Sequence, residues 1–229
     1  NRKCALTDAR VCPKFALMNP ELTYTVPARQ TAAGSLDIFA HAFERYIVRS
    51  QEGVLRDHLC ESIMQTVIEE LPVVLADPAS KEGRSELMWT ATMAHSNMIG
   101  FEGDYACHAV SHIFTELFRL SHGEALAILM PAWCCMMSSR EPEFMKKFFS
   151  HVWHAEGGDD EALLWDGVKR FYRFISSCGL ATTLKEAGFI NVDTDRVTDK
   201  VLQGETQFIG GGFQKLYRQD VKNLIELCL

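Results

Sequence analysis

The sequence predicts an all-α fold with a short β remnant at the N-terminus, and three observations predict it. From Ala28 onward, apolar residues recur at intervals of three and four with little interruption, the period of helices with one buried face. Strand-like runs, Phe15-Ala-Leu-Met18 and Leu22-Thr-Tyr-Thr-Val26, come only before that point, split by Asn19-Pro20 and bounded by Pro13 and Pro27. The stretch Gly123–Met137 is apolar almost all round, as expected of a helix at the centre of a core. With 229 residues, 47% of them apolar, the chain can bury a substantial core in one or two domains.

Two strands alone make no stable sheet, so residues 1–27 read as a linker plus the last strands of a sheet formed elsewhere. Residues 28–229 read as the helical domain. Its first helix spans Gln30–Ser50, with Leu36, Phe39, Ala40, Phe43 and Ile47 on one face. Gly53 separates it from Val54–Leu75, striped by Leu55, Leu59, Ile63, Val67 and Leu71. Pro72 is expected to kink or end that helix, and Asp77-Pro78 to stop it. Ser80 opens the next, whose Leu87, Ala91 and Ala94 keep the period to Ile99. Gly100, Gly103 and Asp104 then turn the chain into a histidine-bearing helix. After the central helix come Glu143–Trp153 and Asp160–Ser177, divided by a Gly157-Gly158-Asp-Asp loop, and shorter helices at Ala181–Ala187, Asp193–Gln203 and Asp220–Leu227. Gly210-Gly211-Gly212 lacks the flanking strand and helix of a phosphate cradle and reads as a plain connection.

The net charge of −7 argues against nucleic acid or an anionic membrane as the main partner. No apolar run reaches the length of a membrane span. The polar start NRKCALTDAR shows no secretory signal and no initiator Met, so a cytoplasmic location and a processed or trimmed chain are expected. Eight cysteines without a CxxC, several inside helical apolar patterns, read as reduced thiols and not as a disulfide framework.

The chemistry concentrates in histidines. His108 and His112 stand four apart on one helical face, His122 follows in a Ser-His-Gly turn, and Asp37 and His41 repeat the four-residue spacing on an earlier helix. Such pairs on facing helices can hold a divalent metal in a helical core. A second D-x-x-x-H, Asp104/His108, competes with Asp37/His41. Asp104 stands where a helix cap is needed, whereas Asp37 lies well inside a helix on an apolar face, where a carboxylate is costly unless a cation meets it; this favours Asp37. Imidazoles with one carboxylate suit Fe²⁺ or Zn²⁺ better than Mg²⁺. Each of His108, His112 and His122, taken singly, reads better as a hydrogen-bonded core histidine; together with Asp37/His41 that reading loses ground. His95 sits on a small-residue helix near the cluster, and His58, His151 and His154 read as surface residues.

TAAGSLDIFAHAFERY at 31–46 and HAVSHIFTELFRLSHGEALAILMPAW at 108–133 together resemble the iron-containing alcohol dehydrogenase family, its butanol-dehydrogenase-like branch in particular. PKFALMNPELTYTVP at 13–27 resembles the segment joining that family's two domains. The resemblance implies a dehydroquinate-synthase-like helical C-terminal domain. It implies Asp37, His41, His108 and His122 as ligands of Fe²⁺ or Zn²⁺, and His112 as a residue helping to move a proton. It implies an NAD- or NADP-linked oxidoreductase interconverting a small-molecule primary alcohol and an aldehyde, or, alternatively, acting on a polyol such as glycerol. The family's N-terminal nucleotide-binding domain, with its Gly-rich turn, has no counterpart in these residues, so the dinucleotide-binding residues are not assigned and the chain alone is expected to be inactive. Unpaired strands and apolar surface near the N-terminus lead us to expect self-association into a homo-oligomer, or a disordered segment at residues 1–27. A metal-dependent phosphohydrolase is disfavoured because no adjacent His-Asp pair occurs, and a structural zinc domain because no cysteine has ligand spacing.

Overall fold

In the computed structural model, which describes residues 8–11, 13–49, 53–203 and 207–229, helix α1 runs from Ala28 to Tyr46. Its stripe of Leu36, Phe39, Ala40, Phe43 and Ile47 is buried as the period requires. Ser50, where the sequence expectation ends this helix, lies outside the described residues. Helix α2 spans Val54–Ala76 and buries Ile63, Val67 and Leu71, while Leu55 at its start is exposed. It runs past Pro72 for one further turn and stops where Asp77 donates its backbone N–H to Val73 O, 2.9 Å away. Helix α3, Lys81–His95, opens with Ser80 Oγ accepting from Gly83 N at 3.3 Å. It stops short of Ile99 because Ser96 takes over the local bonding: its hydroxyl donates to Met93 O (2.9 Å) and accepts from Met98 N (3.3 Å), leaving one 3-10 turn at Asn97–Ile99.

The histidine helix α4 spans Ala106–Phe118, and α5 spans His122–Arg140. Every residue from Ala125 to Cys134 in α5 is buried, and α5 packs against α1, α4 and three later helices: α6 (Pro142–Trp153), α7 (Asp160–Ser177) and α9 (Arg218–Leu227). The predicted central helix is therefore the hub. Helix α8 spans Thr194–Val201, with Asp193 capping it through Arg196 N at 3.0 Å.

Two expectations fail. Phe15–Met18 and Leu22–Val26 are not strands: Pro20–Thr23 is a 3-10 turn capped by Asn19, and Phe15–Met18 is exposed and irregular. Strand-forming side chains cannot hold an extended shape without a partner ladder, and here the Asn19 side chain, accepting from Glu21 N at 3.0 Å, turns the chain instead. Among the described residues the strands are β1 (Ile209–Gly210) and β2 (Lys215–Leu216), an antiparallel pair near the C-terminal end. Ala181–Ala187 forms turns and not a helix. Glu186 accepts from both Thr182 N (2.8 Å) and Thr182 Oγ1 (2.9 Å), and Leu184 N donates to Cys228 O (2.7 Å), so the backbone is satisfied outside an α-helical pattern.

Cys60, Cys107, Cys134, Cys135, Cys178 and Cys228 are all free thiols, as expected; Cys4 and Cys12 lie outside the described residues. No described helix is long and apolar enough to cross a membrane.

Candidate metal centre

Close packing of α1 against the first turn of α5 brings the two ends of the site together. A Cβ on Gly123 would lie 1.8 Å from the carbonyl oxygen of Ala33, so only glycine allows this approach. Glu124, one residue on, accepts from Ser121 N (2.9 Å) and Ser121 Oγ (2.7 Å) and pairs with Arg29 at the start of α1. These contacts set His122, the first residue of α5, beside Asp37 and His41 on α1. Helix α4 supplies His108 from its first turn.

Asp37 Oδ1 is 3.6 Å from each of three Nε2 atoms, those of His41, His108 and His122. Ligand atoms of Asp37, His41 and His108 all lie within 4.8 Å of one another. His122 stands outside that trio and approaches it through Asp37 Oδ1. Asp37 Oδ1 and His108 Nε2 are buried with no hydrogen-bond partner. Leaving such groups bare costs about 1–3 kcal/mol each, and a cation between them would remove that penalty. The donors present, three imidazoles and a carboxylate, therefore fit a divalent metal of the iron or zinc type.

Electrostatics agree. Burial works against a charged His108, but the flanking carboxylates of Asp37 and Glu44 outweigh it and hold its pKa up to about 9. Burial and the charge of His108 push His41 down to about 4. Burial works to raise the Asp37 pKa, yet its three histidine neighbours keep it below the usual carboxylate range.

Asp37, His41 and His108 gather closely, and His122 approaches them through Asp37 Oδ1. His112 lies elsewhere: it is exposed and its ring stacks on that of His122, with centroids 5.2 Å apart at 14°. The ring of His95 is 4.6 Å from that of His41, and both line a cavity of about 580 Å³ between α1 and α3, with Gly34, Asp37, Leu87 and Ala91. His58, His151 and His154 are exposed, as expected, and His151 Nδ1 contacts Glu61 Oε1 at 2.9 Å.

Asp104, the rejected alternative, has a structural role. It accepts from Ala106 N (3.3 Å), Gly211 N (3.1 Å) and Phe213 N (2.9 Å), fastening the β1–β2 connection to the start of α4. Gly210–Gly212 is thereby filled by this chain's own carboxylate, and Cβ atoms on Gly210 and Gly212 would collide with Asp104. The sequence reading found no strand beside this glycine run, whereas β1 and β2 flank it.

Sequence reasoning missed two residues at this centre. Glu44 is fully buried; it contacts His108 Nδ1 through Oε2, and its Oε1 accepts from Cys107 N at 2.8 Å and His108 N at 3.3 Å. Its signal was its place seven after Asp37 and three after His41, on the same helical face. Ser111 Oγ donates to His108 O (2.7 Å) and lies 3.0 Å from His122 Nδ1; no sequence pattern marks it.

A family model described as "Fe-containing alcohol dehydrogenase family, C-terminal" matches residues 31–229. The chain is 31% identical to Probable NADH-dependent butanol dehydrogenase 1 of Bacillus subtilis (strain 168), over 96% of this chain and 57% of that protein. It is 32% identical to NADPH-dependent aldehyde reductase YqhD of Escherichia coli (strain K12), over 81% and 49%. The solved structure of the E. coli aldehyde reductase YqhD superposes with a TM-score of 0.89 at 27% identity, covering 97% of this chain and 59% of that one. NADH-dependent butanol dehydrogenase A of Thermotoga maritima superposes with a TM-score of 0.83 at 26% identity, covering 91% and 54%. The chain thus spans about half to three fifths of the length of the relatives it matches.

Proposed function

The chain belongs to the Fe-containing alcohol dehydrogenase family, and from that premise we propose that it is the metal-binding part of an NAD(P)-dependent oxidoreductase interconverting a primary alcohol and an aldehyde. The observation that carries the reading is the approach of three imidazole Nε2 atoms to one Asp37 oxygen, with two of these ligand atoms buried and unpartnered. Asp37, His41, His108 and His122 would hold Fe²⁺ or Zn²⁺, which when bound supplies Lewis-acid polarisation of the alcohol or aldehyde oxygen. The chain's own residues then have distinct tasks. The cavity between α1 and α3 reaches Asp37 and His41 and offers Leu87, Ala91 and Ile38 to the carbon skeleton of a small substrate. His112, exposed beside His122, exchanges a proton with solvent.

The nicotinamide would supply or accept hydride; the glycine run here is occupied by Asp104, which supports a dinucleotide held mainly by residues other than these. On this reading residues 1–27 are a linker, residues 28–229 a dehydroquinate-synthase-like helical domain, and the enzyme a cytoplasmic homo-oligomer. The test uses protein expressed from the whole reading frame, loaded with Zn²⁺ or Fe²⁺, with butyraldehyde and NADH or NADPH, beside its Asp37→Ala variant. Turnover lost in Asp37→Ala supports the proposal. A metal-loaded wild type inactive with every primary alcohol and aldehyde tried, or an unimpaired Asp37→Ala, refutes it.

A further inference from the structure

We propose that Glu44 and Ser111 are positioning residues: they hold His108 and His122 with the proton on Nδ1, so that both Nε2 lone pairs face Asp37 Oδ1. The inference rests on the metal-site reading above and adds to it the two groups that prepare the ligands.

Glu44 is fully buried, and both its oxygens are engaged: Oε1 by the backbone N–H groups of Cys107 and His108, Oε2 by His108 Nδ1. Full burial pushes the Glu44 pKa up, against the pull of its His108 contact; with both backbone N–H groups on Oε1, its Oε2 serves as the acceptor and His108 Nδ1 as the donor. Once the ring is neutral, its Nε2 carries the lone pair. Ser111 works by a different route to the same end. Its hydroxyl has one hydrogen, spent on His108 O at 2.7 Å, and so offers only lone pairs to His122 Nδ1 at 3.0 Å. Nδ1 of His122 must then bear the proton, and its Nε2 is left as acceptor.

The opposite tautomer would be a trap. An imidazole with Nε2–H could donate to Asp37 Oδ1 and close the site on itself. Instead, the three Nε2 atoms stand 3.6 Å from that oxygen, beyond a hydrogen bond. Glu44 is also tied to the site from its backbone: its carbonyl accepts from Asp104 N at 2.9 Å, just before α4 begins. The Glu44 carboxylate and His108 are therefore placed by the same junction between α1 and α4. Partners of this kind orient metal-bound imidazoles and raise their basicity. The Nδ1 of His41, by contrast, is buried without a hydrogen-bond partner, so the pre-setting applies to two of the three imidazoles.

The test measures Co²⁺ affinity of the 229-residue chain by competition with a chromophoric chelator, together with the Co²⁺ visible spectrum. Long-range proton–nitrogen NMR of the imidazoles reports the tautomer directly, and melting of the metal-free protein reports the fold. Glu44→Ala and Ser111→Ala should each weaken Co²⁺ binding by roughly 10–100-fold and alter the spectrum, with Glu44→Gln intermediate because it keeps one acceptor oxygen. In metal-free Ser111→Ala, His122 should change from the Nδ1–H form to a mixture of tautomers. Should Glu44→Ala fail to fold, Glu44→Gln and Ser111→Ala decide the matter. Wild-type affinity and spectrum in both of those variants, with His108→Ala losing the metal, would overturn this proposal alone. A wild type that binds no Co²⁺, or a His108→Ala that binds like wild type, would overturn the metal reading and this proposal with it.

Discussion

Replacing Gly123 by alanine should destabilise the protein and loosen the metal centre, although alanine is ordinarily the better helix former. The new Cβ would sit 1.8 Å from Ala33 O and 2.4 Å from Ala33 C. Both are backbone atoms, so no side chain can swing aside. Reaching even 3.0 Å requires α1 and α5 to separate by about 1.2 Å, enough to forfeit a quarter to a half of the dispersion energy of neighbouring contacts. Overpacking of this kind costs about 1–3 kcal/mol, and a rigid backbone contact belongs near the top of that range. In a chain of this size about 2 kcal/mol lowers the melting temperature by about 4–8 °C. The same displacement carries His122 away from Asp37, so metal affinity should fall with stability. Gly34 provides the internal control. It lies within α1, and its Cβ would meet nothing within 4 Å, so Gly34→Ala should stabilise by about 0.5–1 kcal/mol. Thermal melts of both variants, with and without Zn²⁺, make the comparison. If Gly123→Ala melts at or above the wild-type temperature and binds Zn²⁺ equally well, the reasoning about the α1–α5 junction is wrong.

Further expectations follow from the same geometry. Asp37→Ala should lose the metal, whereas Asp104→Ala should keep it and lose about 3 kcal/mol in urea unfolding, since three backbone N–H groups lose their acceptor. In the metal-free protein, His108 is raised to about 9, so its contribution is complete below about pH 6.5 and is lost as pH rises through 9. His41 is lowered to about 4, so the unfolded chain binds more protons between pH 6.5 and 4 and stability falls with acidification there; melts across pH 4–10 should therefore peak near neutrality. Metal must displace the His108 proton, so Zn²⁺ affinity measured by competition should rise with pH up to about 9. His112→Ala should retain Zn²⁺ while turnover of the whole enzyme falls by about 100- to 10,000-fold; loss of the metal would make His112 a ligand.

Much of this could be read from residue spacing. The stripe Leu36, Phe39, Ala40, Phe43 and Ile47 is a buried helical face, and the wholly apolar stretch after Gly123 is the hub. Asp37 stood out because a carboxylate on an apolar face needs a cation, and Asp104 because a Gly-Asp before a helix suggests a cap. Asp104 proved to hold the glycine loop as well, a contact more than a hundred residues distant in sequence that no local pattern encodes. Glu44 escaped notice for a similar reason: it reads as a polar residue between Phe43 and Ile47 until α4 is seen to start against it. Local propensity misled where side chains outbid the regular backbone pattern. Asn19 turned a strand-like run, and Thr182 with Glu186 replaced a helix with turns. The reach of Gly123 toward Ala33 likewise depends on how two helices meet, which the period of either one does not contain.

The central claim is that Asp37, His41, His108 and His122 form one metal centre, and X-ray absorption at the zinc edge of Zn²⁺-loaded protein tests it most directly. The account predicts a first shell of nitrogen and oxygen at about 2.0–2.2 Å, with the outer-shell signature of imidazole rings, and its disappearance in His108→Ala. A sulfur ligand at about 2.3 Å, or an unchanged spectrum in His108→Ala, would place the metal elsewhere and contradict the account.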